Sequence, residues 1–232
     1  VLLPSDDLLP FSDEELACLP VFPLPSVVLL PGSVLPLHVY EPRYRAMIRD
    51  CLSEGPRALA MAMLAPGWER DYEGRPTILA VAGAGRIVAH RRNPDGTYDL
   101  VIQGVSRVRL EELPAGAVAY RRARATVLAD GRAEDIAALR RAIEPLLATA
   151  TSLAAMERAA GRAVPVHEPI GAPARVVDRL ADRWVRDVAL RQRILETTDV
   201  PQRIALVGDA LATTLALLSK AHGGRAGHTS TH

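Results

Sequence analysis

The sequence has a single lysine, Lys220, and it follows no glycine loop, so the Gly-x-x-x-x-Gly-Lys-Ser/Thr cradle for nucleotide phosphates is absent. ATP hydrolysis is thereby excluded. The same lysine sits directly after Ser219 near the end of the chain, where neighbours in sequence on a helix face different directions, so the two do not make a serine–lysine peptidase pair. Cysteine is scarce: Cys18 and Cys51 lie far apart without a Cys-x-x-Cys spacing, which supports neither a disulfide framework nor a zinc site. The six histidines, His38, His90, His167, His222, His228 and His232, occur singly, and no metal is expected. No apolar run reaches the roughly 18 residues of a membrane span, and an N-terminus without a basic region and broken by Pro4 and Pro10 does not read as a secretion signal. A reducing cytoplasm is the expected setting. Charge of one sign is missing as well: 28 basic residues stand against 27 acidic ones, so no net field draws nucleic acid or an anionic membrane. The near-exclusive use of arginine fits a compositional bias and carries no mechanism.

What is present is an ordinary globular composition, 49% hydrophobic and 24% charged, with so few aromatics (4%) that the core must be mostly aliphatic. Residues 1–18 read as a peripheral tail with one helical turn, where Ser12 and Glu15 have capping-box spacing. From 19 to 130 the texture is short apolar runs cut by Pro and Gly, the pattern of strands and turns. Strands are expected at Val21–Leu24, Val27–Leu30, Val34–His38, Ala58–Leu64, Ile78–His90, Tyr98–Gly104, Val105–Leu113 and Ala117–Leu128, with Asn93 to Gly96 as a hairpin turn. One helix interrupts them: Pro42 takes a first helical position, and Tyr44, Met47, Ile48 and Cys51 share a face that Gly55-Pro56 ends. Short turns between consecutive strands imply an antiparallel meander, and exposed edges favour closing it into a small barrel. Arg107 and Arg109 alternate with Val108, which predicts one wet sheet face. Residues 131–221 read as helices: one from Glu134 to Ala150 kinked or broken by Pro145, a proline-rich connector over 161–173, one from about Ala174 past Trp184 that continues or restarts over Leu190–Leu195, and one capped by Asp199 and Gln202. Residues 222–232 read as a loose tail.

Sites are harder to find. Gly83 and Gly85 form a fragment of a glycine-rich loop, but residue 88 is Val where a dinucleotide fingerprint needs its third glycine, so a bend in a barrel strand is the better reading. His38 beside the helix start fits a hydrogen-bonded structural role, and Glu41 before Pro42 fits capping and the helix dipole. The loop 65–77 is charged and rich in Gly and Pro yet holds Trp68 and Tyr72. Such rings either fold back to cap the barrel or bind something.

The ordered series Leu19-Pro-Val-Phe-Pro-Leu24, Val27-Val-Leu-Leu-Pro-Gly32, Leu35-Pro-Leu-His38 and Tyr40-Glu-Pro-Arg-Tyr44 resembles the opening of the substrate-binding domain of Lon-type proteases, in its stand-alone bacterial form. The likeness continues through Gly83-Ala-Gly85 with Arg86-Ile87, Asp95-Gly96, Ile102-Gln-Gly104 with Arg107, Arg191-Gln-Arg-Ile-Leu-Glu196 and Asp199-Val-Pro-Gln-Arg203, so it spans roughly residues 19–218. It implies an α+β fold: a PUA-like antiparallel β pseudo-barrel with one inserted helix, followed by a C-terminal helical bundle. It also implies a non-catalytic protein- or peptide-binding module, an adaptor or regulator of protein quality control, with no catalytic residues and no cofactor. The implied partners are unfolded or hydrophobic polypeptide segments and a Lon-type protease, with self-association admitted and no membrane. Trp68, Tyr72, Leu35 and Tyr40 are the candidate peptide-binding residues. An alternative remains because PUA-like barrels also read RNA and nucleotides, and here Arg107, Arg109, Arg121, Arg122 and Arg124 would be the contacts.

Overall fold

Ala58–Met63 reads Ala-Leu-Ala-Met-Ala-Met, and the structure uses both faces of that alternation. The structure is a computed structural model that describes residues 8–53, 55–71, 74–131, 135–162 and 171–226, with side chains to 220. In chain order its elements are α1 (Asp13–Ala17), β1 (Leu19–Leu24), β2 (Val34–Val39), α2 (Pro42–Ser53), β3 (Ala58–Met63), a 3-10 turn (Trp68–Asp71), β4 (Val81–Arg92), β5 (Tyr98–Glu112) and β6 (Arg121–Leu128). Helices α3 (Ile136–Ala159), α4 (Pro173–Trp184), α5 (Val188–Glu196) and α6 (Val200–Ala226) follow. Two units emerge: Val1–Ala129 with Val188–Thr198, and Asp130–Asp187 with Asp199–His232. Helix α5, which the sequence groups with the helical part, therefore belongs to the β-rich unit. Among the described residues no helix is long and apolar enough to cross a membrane.

In the first unit the strand order is β2-β5-β4-β3-β1-β6, and β6 also pairs with β5, which closes β5, β4, β3, β1 and β6 into a ring. The interior holds many alanines, Ala58, Ala60 and Ala62 from β3, Ala82 and Ala84 from β4, and Ala123 and Ala125 from β6, packed with Leu19, Val21, Val108 and Leu110. The opposite face of β3 turns Leu59 and Met61 toward Phe22 and toward Tyr44, Met47, Ile48 and Cys51 of α2, the helical face expected from their spacing. Strand β5 is one element of 15 residues where the sequence suggested two. It serves two partners along one edge, with Val34–Val39 of β2 paired to Tyr98–Gln103 and Arg121's strand β6 paired to Arg107–Glu112.

Other expectations change as well. The meander is antiparallel from β3 through β6, but β1 and β3 run parallel, because β2 and α2 form the crossover between them. Val27–Leu30 is no strand; it is irregular, mostly buried chain laid against β4 and β5. A β-carbon at Gly83 would overlap the Leu29 carbonyl oxygen, and one at Gly104 that of Leu30, so these glycines admit a backbone rather than only a bend. Pairing does shift register between Ala84 and Gly85. The crossing backbone finds partners: Gly32 N–H donates to Gly104 O and Gly104 N–H to Ser33 O, both at 2.9 Å, and Arg191 Nη2 of α5 donates to Val28 O at 3.2 Å. The N-terminal segment, finally, is not peripheral. The Ser12/Glu15 capping box is formed, but Phe11 just before it is 9% exposed and packs with the barrel interior.

In the second unit α3 packs with α6 and α4, and α4 with α6. Its buried positions include Leu153, Val177, Leu180, Trp184, Ile204, Val207 and Leu211. Asp135 and Asp199 cap α3 and α6 by accepting from Ala138 N–H at 2.9 Å and Gln202 N–H at 2.7 Å. Pro145 does not break α3, which runs unbroken past it to Ala159. Arg203 is fully buried, with Nη1 on Asp130 at 2.7 Å and Nε 3.8 Å from buried Asp178. Helix α6 extends to Ala226, beyond the point where a loose tail was expected; residues 163–170 of the expected connector and 227–232 lie outside the described residues.

Candidate functional site

Alternation on β2 puts Leu35 and Leu37 toward the cluster beneath the sheet and leaves Pro36 and His38 on its outer face. The register then aligns His38 with Asp99 on β5 and Asp99 with Arg91 on β4, and beside them Pro36 with Val101 and Val101 with Ala89. The outer face of β2, β5 and β4 thus carries one polar row next to one apolar row. Over them lies an open groove of about 520 Å³, lined by Pro36, His38, Ala89, His90, Arg91, Asp99 and Val101 among others.

Asp99 organises the polar row. Its Oδ1 meets His38 Nδ1 at 2.7 Å, while Oδ2 accepts from Arg91 Nη2 at 2.6 Å and Asn93 Nδ2 at 3.2 Å. These bonds, His38 first and then Arg91 and Asn93, hold the Asp99 carboxyl well below the usual carboxylate range. The hairpin that carries Asn93 is fixed by Asp95, whose Oδ1 accepts from both Thr97 N–H and Thr97 Oγ1. Two residues past His38, Tyr40 is 63% exposed, its ring stacked 6.5 Å from the His38 ring. The chain turns there into α2: Glu41 O accepts from Tyr44 and Arg45 N–H, the Glu41 carboxylate pairs with Arg43, and Tyr44 stacks on Phe22 at 4.2 Å.

Of the peptide-binding candidates, Tyr40 stacks on His38 beside this groove without lining it, and Leu35 is half-buried on the opposite face of β2, in the cluster around α2. Trp68 belongs elsewhere: it is half-buried against the barrel interior, in a different cluster from Leu35. Tyr72 lies outside the described residues. His38 is hydrogen-bonded as expected, though on the surface.

The arginine set does not form one surface. Arg107 is 3% exposed, and its Nε donates to Leu195 O of α5 at 3.0 Å, so the expected wet face is covered at this position. Arg121 lies across from buried Val21, its side chain only 10% exposed and 3.5 Å from Glu112, and burial pulls its pKa down. Arg122 points to the other face of β6, Arg124 approaches Glu111 at 3.9 Å, and Arg109 is exposed. Among the described residues no three His, Cys, Asp or Glu side chains gather as metal ligands would. Sequence reading missed Asp99 and the row it organises; the signal available was Asp99 standing between Tyr98 and Leu100, on the face opposite to both.

The model of the ATP-dependent protease La (LON) substrate-binding domain matches residues 18–213. The chain is 28% identical to Lon protease 2 of Myxococcus xanthus over 83% of its own length and 23% of that protein, and 29% identical to Lon protease 2 of Sorangium cellulosum over 88% and 25%. It therefore spans about a quarter of the length of these relatives. Its fold is similar to the N-terminal domain of the Mycobacterium avium complex Lon protease, with a TM-score of 0.63 at 20% identity, covering 84% of this chain and 98% of that one. It is also similar to a Lon N-terminal domain protein from Xanthomonas campestris, with a TM-score of 0.57 at 24% identity over 81% and 95%. These matches lie in the substrate-binding part of Lon and not in its peptidase. With the family model covering most of the sequence, the chain belongs to the Lon substrate-binding domain family.

Proposed function

We propose that this chain is a non-catalytic recognition module that binds unfolded or hydrophobic polypeptide segments along the outer face of β2, β5 and β4, and that it serves protein quality control as an adaptor or regulator of a Lon-type protease. The observation that carries the reading is Tyr40, a large ring left 63% exposed beside a groove whose floor includes Pro36, Val101 and Ala89. An exposed aromatic next to an apolar row gives an extended chain area to bury, and the Asp99-centred bonds hold the surrounding side chains in place at small entropic cost.

Fluorescence anisotropy of a labelled, permanently unfolded polypeptide tests this. We expect saturable binding that survives high salt and that Tyr40→Ala weakens about tenfold. An RNA-binding role draws less support, because Arg107 and Arg121 are withdrawn from the surface. Binding of a labelled RNA that weakens steeply as salt rises, with no polypeptide binding, would replace the proposed function with that one.

A further inference from the structure

The N-terminal segment is fastened to the barrel through side chains. Residues 8–12 form no strand with the ring, and α1 buries none of its own residues. The hold comes from one arginine and a few apolar side chains. Arg86 of β4 donates from Nε to Leu9 O at 3.3 Å, from Nη2 to Pro10 O at 3.1 Å and from Nη1 to Pro56 O at 2.9 Å. The same guanidinium grips both oxygens of Glu15, at 2.8 and 3.1 Å, and lies 4.8 Å from the centre of the Phe11 ring. Phe11 enters the barrel interior, with Leu8 and Leu16 packed at its margin.

These contacts have the character of peptide recognition. Main-chain carbonyls are read by a fixed donor, one aromatic anchor fills an apolar hollow, and an acidic residue four positions on completes the ion pair. A segment held this way lies outside the sheet's hydrogen-bond ladder, so its release breaks no strand pairing.

We propose that Leu8–Ala17 is an intramolecular polypeptide ligand of the barrel end, and that an incoming chain with an aromatic anchor and a following acidic residue displaces it from the Arg86 seat. The inference rests on the polypeptide-binding reading above and adds a second, self-occupied site to the groove. The protein accordingly binds most tightly those clients that can also take the seat.

Two measurements test it. Hydrogen exchange of the full chain is followed with and without saturating reduced, carboxymethylated α-lactalbumin, whose binding is read separately by anisotropy. Amides of Glu15, Leu16 and Ala17 should exchange about fivefold or more faster in the complex while those of β3 and β4 do not change. Full binding with unchanged or slowed exchange at 15–17 overturns displacement and leaves the groove reading intact; absence of binding removes both. In the second arm a labelled peptide with the sequence of residues 8–17 is titrated into the wild-type and Phe11→Ala chains. The variant, its own anchor removed, should take the peptide about tenfold more tightly, and a peptide with alanine in place of the phenylalanine should show no such gain. Equal affinity for both chains contradicts the seat, and should Phe11→Ala not fold, the exchange experiment on the wild-type chain decides.

Discussion

Arg107 reaches from β5 to the end of α5, donating its Nε proton to the Leu195 carbonyl at 3.0 Å from a side chain that is 3% exposed. Gln192, one turn earlier on α5, bonds Val81 O at 2.9 Å from a buried amide, so side-chain bonds from both partners join this helix to the ring. Removing the guanidinium leaves a buried carbonyl without its donor. We expect Arg107→Leu to lower stability by about 2–3 kcal/mol in urea unfolding, against less than about 0.5 kcal/mol for Arg109→Leu two residues away on exposed surface. Equal small effects would mean that α5 is not held through Arg107.

Gly104 and Gly83 admit the crossing backbone of Leu29 and Leu30, whereas a β-carbon at Gly116 would meet only the movable end of Arg122. Gly104→Ala should therefore destabilise by about 3 kcal/mol or prevent folding, and Gly116→Ala should leave the melting temperature close to that of the parent. Thermal unfolding followed by circular dichroism separates the two.

Burial alone would raise the Glu15 carboxyl, but its bonds to Arg86 and to Ser12 outweigh this and hold it below the ordinary value of 4.5. A carboxylate depressed in the folded state contributes stability that is complete above its unfolded pKa and is lost as pH falls through the folded one. The stability difference between the parent and Glu15→Gln should therefore be constant near neutrality and shrink below pH of about 4. A difference that stays the same from pH 7 to pH 3, both nominal buffer values, would show that the Arg86–Glu15 pair is not what titrates.

Burial, and then the charge of Asp50, push the Cys51 thiol up to about 12, whereas Cys18 is exposed. A thiol reagent at mildly alkaline pH should label Cys18 rapidly in the native protein and reach Cys51 only on unfolding. Rapid native labelling of both would contradict the packing of α2 on β3.

Much of this architecture was legible in the sequence. The face of α2, the Ser12 and Asp199 caps, the Asn93 to Gly96 turn and the change from strands to helices all follow from local spacing, and local spacing is what the chain carries openly. What stayed hidden depends on distant partners. Val28–Leu30 has a strand's composition, and only the glycines of β4 and β5 reveal a crossing backbone instead. Arg107 alternates like an exposed residue until α5, far along the chain, covers it. Phe11 sits in a polar, proline-broken segment, and nothing local announces the barrel beneath it. Of the candidates named from sequence, Tyr40 stands beside the groove and Leu35 faces the other way, while the Asp99 row stayed hidden because it exists only across three paired strands. Trp68, the most conspicuous ring of its loop, packs with the barrel.

The central claim is that polypeptide is bound at the groove beside Tyr40. It is tested most directly by the affinity of one labelled unfolded polypeptide for three chains of equal folded content: parent, Tyr40→Ala and Trp68→Ala. We expect Tyr40→Ala to weaken binding about tenfold, and Trp68→Ala to lower stability while the chain that remains folded keeps its affinity. Binding unaffected by Tyr40→Ala, or lost with Trp68→Ala alone, would contradict the groove and move recognition to the loop that carries Trp68.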